Sequence, residues 1–265
     1  MSGKTLINSM VAFSRREYDD FQMHLSSMTE WPGINISVDK DLHATLNIPM
    51  LIMELYRLIP YKEDRYVHFH PFNMPHIKVR KIDLIGVVTN IKRNSENLLL
   101  TIEDGTGVVE INYKLEKYLS LLQQRKKIDR QYKEQAKNLT RYEIIKNSFK
   151  DCPGKFPETR PQFSYTNNVS LLDKAILENK WWSETNNGLL GKEIKLFDYV
   201  SVNGYPCFDV KFQKIPQEIT MEFIEHARLT VFAISVTCIS EATYNKKLST
   251  WMNTTIRQRY TKRSE

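Results

Sequence analysis

The 265-residue sequence is poor in cysteine, and its three cysteines, Cys152, Cys207 and Cys238, are far apart. No C-x-x-C pair occurs, so the sequence predicts neither a disulfide framework nor a zinc ribbon. The first residues lack the apolar run and small-residue cleavage site of a signal peptide. The longest apolar run, Ile48 to Ile59, is too short to span a bilayer. We therefore expect an intracellular protein without membrane contact.

Patterns typical of enzymes and cofactor sites are also missing. Gly105 and Gly107 lie in a D-G-T-G turn between two apolar-rich segments, and no Lys-Ser/Thr pair follows them. A P-loop needs that pair between a strand and a helix, so the turn is interpreted as a hairpin corner. His68, His70 and His76 are close in sequence but have no cysteine or matching carboxylate cluster nearby. We expect no metal site, no catalytic residue and no cofactor.

Short segments with period-two alternation predict a mainly β fold with helices. Leu98, Leu100 and Ile102 alternate with more polar residues, and Gly86 inside the preceding segment marks a bulge or bend. A mostly helical segment separates the third strand from the fourth, which is the order of a five-stranded OB-fold barrel. The predicted strands are 77–92, 97–103, 108–113, 198–212 and 228–239.

The remaining segments are predicted to be mostly helical. A helix is expected over Thr5–Met28, and the spacing of apolar residues predicts a short amphipathic helix over Asn47–Leu58. A last helix is expected from Glu241 to Tyr260. Three regions result: an N-terminal helical extension at 1–60, an OB-fold domain at 61–240 with a long insertion at about 114–195, and a C-terminal helix at 241–265.

Positive charge is concentrated in one segment. Lys114–Lys150 has eleven Lys/Arg against four Asp/Glu, a balance of +7 that equals the net charge of the whole chain. An excess of this sign favours an anionic partner. The alternative is a solvated helix face, with Tyr118, Leu119 and Leu122 docking the helix onto the barrel, and it is favoured for most of these charges. A few would then steer DNA by long-range attraction.

At this point the sequence resembles a known family. The stretch "HIKVRKIDLIGVVTNIKR…LLLTIEDGTGVVEINY" is similar to the OB domain of the Stn subunit of the CST (Cdc–Stn–Ten) telomere-capping complex, itself similar to the middle subunit of replication protein A. The matching pieces are His76-Ile77, Ile85–Val88, Glu103–Gly107 and "FDYVSVNG" at Phe197–Gly204. The segment "LNIPMLIMELYRLI" resembles the helix that precedes the family's barrel. The resemblance covers most of 47–113 and 197–255, and the family's winged-helix repeats have no counterpart in it.

The resemblance implies a non-catalytic subunit that binds and caps the single-stranded telomere overhang and pairs with a small OB-fold protein of the Ten type. It further implies a larger CST-type subunit and DNA polymerase α–primase as partners, and a nuclear, chromosomal location at the telomere. The alternative is a structural OB-fold adaptor that assembles a protein complex and binds little DNA of its own. Because one fold hosts many functions, both interpretations stay open here.

OB-folds bind single strands with basic and aromatic side chains on strands two and three and on the loops L12 and L45. The candidate DNA-binding residues are Lys92, Arg93, Tyr113, Lys114, Tyr205, Phe208, Lys211 and Phe212, with Lys214 beside them. The alternative for Tyr113 and Phe208 is a place in the barrel core. The alternative for Lys92 and Arg93 is an ordinary solvated turn.

The last predicted helix has one apolar stripe. In the family it resembles, the equivalent helix pairs with a helix of the small OB-fold partner, and a Trp–Met–Leu stripe is typical of interface hot spots. The alternative is that the stripe packs on its own barrel. The candidate partner-binding residues are Tyr244, Leu248, Trp251, Met252, Thr255 and Ile256.

Overall fold

The computed structural model describes residues 47–63, 66–71, 79–139, 161–165, 168–209, 223 and 226–257. The helix predicted at Thr5–Met28 lies outside these residues. The described residues form two compact units: one contains those up to Tyr113 and from Lys195 onward, and the other lies within Lys114–Ile194. Across the described ranges, no helix is both long and apolar enough to span a membrane.

The structure contains eight strands and four α-helices within the described residues, and the last helix continues as a short π-helix. The strands are β1 (Asn47–Pro49), β2 (Leu58–Glu63), β3 (Tyr66–Pro71), β4 (Lys81–Arg93), β5 (Asn97–Glu103), β6 (Val108–Lys114), β7 (Tyr199–Phe208) and β8 (Leu229–Cys238). The helices are α1 (Ile52–Leu55), α2 (Leu115–Lys137), α3 (Leu171–Glu184) and α4 (Glu241–Thr250), followed by the π-helix Trp251–Ile256.

Five strands close into a barrel. The sheet order is β1-β4-β5-β6-β8-β7, and β4 also pairs with β7, which joins the two sides. The pairing of β6 with β8 is parallel, whereas β4 pairs antiparallel with both β5 and β7. Counting only the barrel strands in chain order, the first pairs with the second and fourth and the third with the fifth. This is the OB-fold order, so the predicted fold is confirmed, including the helical insertion between the third and fourth barrel strands.

Alternation along the strands forms the barrel core. Leu84, Ile102, Ile111, Val202 and Val231 are fully buried, and their sequence neighbours are mostly less buried. Strand β4 serves both sides of the barrel because its first half pairs with β7 and its second half with β5. The pairing of β4 changes from β7 to β5 at Val87, which has partners on both strands.

The predicted irregularity near Gly86 lies slightly further along β4. The register shifts between Val88 and Asn90. Gly86 instead allows close approach of β5, since a Cβ atom at this position would lie 2.8 Å from the backbone oxygen of Glu103. A side chain would therefore force the two strands apart.

The helix predicted over Asn47–Leu58 is wrong over most of its length. Only the single turn α1 is helical, and it is preceded by β1, which pairs in parallel with β4 from Lys81 to Asp83. The apolar residues that suggested a helix are buried by partners far along the chain, which is how a short apolar run misleads. The described part of the predicted N-terminal helical extension is thus mostly strand and turn.

The D-G-T-G turn joins β5 to β6, as predicted, and also fixes α1. Gly105 has a φ of 85°, which glycine adopts without the penalty of other residues. The buried Asp104 carboxylate accepts hydrogen bonds from the backbone N–H groups of Thr106 (2.8 Å), Gly107 (3.2 Å) and Ile52 (2.7 Å). The Thr106 hydroxyl donates to Asp104 as well and accepts from the Met53 N–H. One carboxylate therefore ties the hairpin corner to the first turn of α1.

The insertion unit has a core of its own. Tyr132 and Ala136 of α2 pack with Leu177, Trp181 and Trp182 of α3. The Phe163 ring stacks on Tyr132 and meets Trp181 edge-on, with centroids 6.4 and 6.1 Å apart. Ser170 caps the start of helix α3, and its hydroxyl accepts from the Asp173 N–H. Such an aromatic cluster is typical of a folded unit rather than of a flexible loop.

We predict that Asp104→Ala destabilises the protein by about 3 kcal/mol, because it leaves one buried and two part-buried backbone N–H groups of two segments without an acceptor. Thermal unfolding followed by circular dichroism would show the fall in Tm. The control is Glu103→Ala, which removes the exposed neighbouring carboxylate and should change stability by no more than about 0.5 kcal/mol. Equal effects of the two changes would contradict this role for Asp104.

Candidate nucleic-acid interface

Five side chains line up across the outer surface of the barrel. In the strand registers, Lys92 lies opposite Leu99, and Phe232 lies opposite both Asn112 and Tyr205. Asp104 and Gly107 close the β5–β6 hairpin, with Asp104 N–H donating to Gly107 O. Leu99 and Asn112 are equally far from this pair along their strands, so they lie opposite each other. Opposed residues project to the same face of a sheet. We name this set, Lys92, Leu99, Asn112, Phe232 and Tyr205, the outer row.

The outer row faces away from the core. Its neighbours along the strands, Leu100, Ile111, Val231 and Ala233, are buried in the barrel, and successive residues of a strand point to opposite faces. Tyr205 is 38% exposed and Lys92 is exposed, whereas the three residues between them are half-buried. The row thus offers an aromatic ring at one end, apolar and amide groups in the middle and a cation at the other end.

The turn between β4 and β5 corresponds to the loop L12 and is tight. The Asn94 side-chain oxygen accepts from the backbone N–H groups of Glu96 (2.9 Å) and Asn97 (2.6 Å). Lys92 and Arg93 are exposed at the end of β4, immediately before this turn. A three-residue connection held by its own side chain fixes where these two cations emerge.

Two groups next to the outer row, Glu110 and Cys207, add no unbalanced negative charge. Glu110 lies opposite Thr230, and its carboxylate accepts from the Arg228 guanidinium at 2.8 Å. The Cys207 sulfur lies 3.3 Å from the Thr230 hydroxyl oxygen, and burial raises the pKa of this thiol. The thiol is therefore neutral at physiological pH, and Glu110 is paired, whereas the nearby Asp209 carboxylate adds to the rise in the thiol pKa. Glu110 and Cys207 themselves would therefore not repel an anionic strand.

Asn112, in the middle of the outer row, has an unusual amide group. Its Oδ1 atom is buried and has no hydrogen-bond partner among the described residues. A buried acceptor without a donor costs about 1–3 kcal/mol. Because this oxygen is closed off from solvent, it is a cost to the stability of the free protein.

The structure separates the predicted DNA-binding residues into three groups. Lys92, Arg93, Lys114 and Tyr205 are exposed on the barrel strands. Tyr113 is only 1% exposed in the barrel core, so for this residue the core alternative holds. Lys211 and Phe212, together with Lys214, lie outside the described residues.

Phe208 also takes the core alternative. It is 7% exposed, and its ring lies 5.6 Å from the Phe69 ring and 5.3 Å from the Phe223 ring, between centroids. Phe69 belongs to β3, which forms a separate two-stranded sheet with β2. Rings packed in this way are not available to stack on a base, so neither Phe208 nor Tyr113 is kept in the candidate interface.

Sequence reasoning missed the three central members of the outer row, Leu99, Asn112 and Phe232. Alternation alone places each on the outer side of its strand, which is a usable signal. What it does not give is the parallel pairing of β6 with β8, which brings Asn112 next to Phe232.

The C-terminal helix packs partly on its own barrel. The Tyr244 and Tyr199 rings lie 4.7 Å apart, and the Lys247 ammonium donates to the Ser201 hydroxyl at 3.3 Å. Tyr244 and Ile256 are buried within the chain. Leu248, Trp251 and Thr255 are half-buried, and Met252 is 45% exposed. The predicted stripe is therefore divided between a side covered by the barrel and a side open to solvent.

Threonine hydroxyl groups bond to the helix backbone at the widened π-helical turn. The Thr250 hydroxyl donates to the Lys246 carbonyl and the Thr254 hydroxyl to the Thr250 carbonyl, each four residues earlier. Hydroxyl groups bonded in this way compete with the regular helical ladder. The π-helix begins at Trp251, so the local geometry changes at the residues predicted to contact a partner.

The strand order and the closed barrel define the chain as an OB-fold protein, and the outer row is the candidate ligand face of that barrel. No family model and no curated protein matches the chain. Among solved structures, it is similar to a chain of a replication protein A heterotrimer bound to ssDNA, with 14% identity, 80% of this chain and 95% of that chain covered, and a TM-score of 0.38. It is also similar to a chain of the S. pombe Stn1–Ten1 complex, with 11% identity, 80% and 90% covered, and a TM-score of 0.37.

We predict that Asn112→Leu raises the stability of the free protein by about 1 kcal/mol, because an apolar group of similar size replaces an unpartnered buried amide. Chemical denaturation would measure the change. As a control, Asn90→Leu alters an exposed amide on β4 and should be nearly neutral. A loss of stability in Asn112→Leu would indicate that its amide has a partner in solution.

Proposed function

We propose that this chain is a non-catalytic subunit that binds single-stranded DNA at the telomere overhang and pairs with a small OB-fold protein of the Ten type. The outer row carries the proposal. A face with an exposed ring, half-buried apolar groups and a cation provides the two kinds of contact that single strands use, stacking and charge. The sequence resemblance to the Stn family supplies the telomeric context.

The geometry of the outer row supports contact with bases in its middle and with phosphates at its L12 end. Tyr205 and Phe232 are ladder neighbours, so a base could stack on either ring. Lys92, Arg93 and Lys114 are the exposed cations at the ends of β4 and β6. With only a few such groups, binding should be weak and sensitive to salt.

The partner interface is proposed for the open side of the C-terminal helix. Leu248, Trp251 and Met252 retain exposed surface, whereas Tyr244 and Ile256 are buried by the chain itself. A half-buried Trp beside an exposed Met is the type of surface that a partner helix packs against. The buried residues would then support the interface without touching the partner.

The adaptor function remains the second candidate, and one observation favours it. Two of the aromatic residues predicted for base stacking, Tyr113 and Phe208, are buried in the protein. Fewer available rings mean less stacking energy, at roughly 1–3 kcal/mol for each base. An adaptor would keep the C-terminal helix interface and bind little DNA.

We predict that the triple change Lys92→Ala, Tyr205→Ala and Phe232→Ala lowers the affinity for an oligothymidylate at least tenfold, because it removes two stacking rings and one phosphate contact. Fluorescence anisotropy at low salt would measure binding. The matched control, Lys195→Ala with Phe197→Ala, removes an exposed cation and an exposed ring away from the outer row. If the wild-type chain shows no binding even with its partner present, the adaptor function is preferred.

We predict that the double change Leu248→Glu and Met252→Glu abolishes co-purification with a small OB-fold protein, because it places two charges in an apolar contact. Affinity purification followed by mass spectrometry would identify the partner. Thr243→Glu adds a charge at an exposed position on the opposite side of the same helix and should leave pairing intact. Retained pairing in the double variant, with unchanged circular dichroism, would move the interface elsewhere.

A further inference from the structure

The charges of α2 divide into those that hold the insertion unit together and those that do not. The Arg125 guanidinium bonds to Asp129 (2.9 Å) and to the carbonyl oxygens of Gly188 (2.8 Å) and Leu190 (3.0 Å). It also lies 4.6 Å from the centre of the Trp181 ring, whose N–H donates to Asp129. Arg125 and Asp129 are thus structural, and they compensate each other.

Four of the six other Lys and Arg residues of α2 follow a different pattern. Lys126, Arg130, Lys133 and Lys137 are exposed and spaced by four, three and four residues, so they lie on one side of the helix. We name these four residues the α2 stripe. At about 1.5 Å of rise per residue, the stripe is about 16 Å long. Within the described part of the chain, Lys126, Arg130 and Lys133 form no ion pair.

A plain solvated face does not account well for this arrangement. Like charges three or four residues apart disfavour a helix, and the only acidic residue of α2 near the stripe besides Asp129 is Glu134. The helix dipole favours cations in the last turn, which covers Lys137 but not Lys126 or Arg130. The stripe would be stabilised by a linear anion lying along it.

We propose that the α2 stripe binds the phosphate backbone of single-stranded DNA without reading its sequence. Phosphates repeat along a strand as the cations repeat along the helix, and the Arg130 fork suits phosphate oxygens. The stripe contains no aromatic side chain, so it has no platform for bases. This assignment rests on the proposed function, and it gives the insertion a role that is separate from the outer row.

The test uses the full-length chain with Lys126→Gln, Arg130→Gln and Lys133→Gln together. Glutamine favours helix, so circular dichroism should be unchanged. Anisotropy titrations with a labelled oligothymidylate over a series of KCl concentrations give the slope of log K against log salt. Each phosphate contact on a single strand contributes about 0.7, so the slope should become less steep by about 2. The affinity at 50 mM KCl should fall at least tenfold.

The control variant Arg80→Gln, Lys195→Gln and Lys246→Gln removes the same charge from exposed positions in the barrel unit. An equal change of slope in this control would overturn the inference, as would an unchanged slope in the stripe variant or a wild type that binds no oligothymidylate. Polyglutamate is titrated as a second probe. If the stripe variant loses binding to polyglutamate but binds the oligothymidylate as wild type does, the inference is overturned in favour of an acidic protein partner. The triple alanine variant of the outer row separates the two proposals. If it binds DNA as wild type does while the stripe variant has a less steep salt dependence, the proposal for the outer row fails and the one for the α2 stripe is supported.

Discussion

The carboxylate of Asp104 is the interaction on which the arrangement of the barrel's first half depends. It accepts from the turn between β5 and β6 and from the Ile52 N–H at the start of α1, about fifty residues earlier in the chain. A buried carboxylate is tolerable only when its oxygens have donors, and Asp104 has donors for both. With the turn and α1 tied together, β1 reaches β4 immediately before α1 begins, where Met50 N–H donates to Asp83 O. The D-G-T-G turn is therefore a hairpin corner whose carboxylate also binds the backbone of α1.

Local patterns predicted those elements whose partners are close in sequence. The β5–β6 hairpin has both its alternation and its turn residues within one short stretch, and the structure agrees with it closely. The segment Asn47–Leu58 failed for the opposite reason: the strand β4 that makes β1 a strand lies more than thirty residues away. Leu51, Leu55 and Leu58 do have helical spacing in the sequence. The backbone conformation of the segment instead follows from its packing against residues far along the chain.

The candidate site also contains features that local sequence predicts and features that depend on distant residues. The inward position of Tyr113 was within reach of the sequence, because Val109, Ile111 and Tyr113 alternate along one strand and all three are buried. The neighbourhood of Asn112 was not, because Phe232 comes from a strand beyond the insertion and pairs in parallel. Facing is a local property of a strand, whereas the composition of a surface depends on register between strands. For that reason the sequence identified single residues of the outer row but not the row.

Charge illustrates why a count of residues is a poor guide to a binding surface. The excess of +7 over Lys114–Lys150 contains Arg125, whose guanidinium is occupied by Asp129 and two carbonyl groups. Only the geometry separates such a structural cation from Lys126, its neighbour in the chain, which is exposed and belongs to the α2 stripe. On the proposals made above, stacking belongs to the outer row and most phosphate contact to the stripe. The two contributions would then respond differently to salt, since counterion release governs phosphate contacts and leaves base stacking largely unaffected.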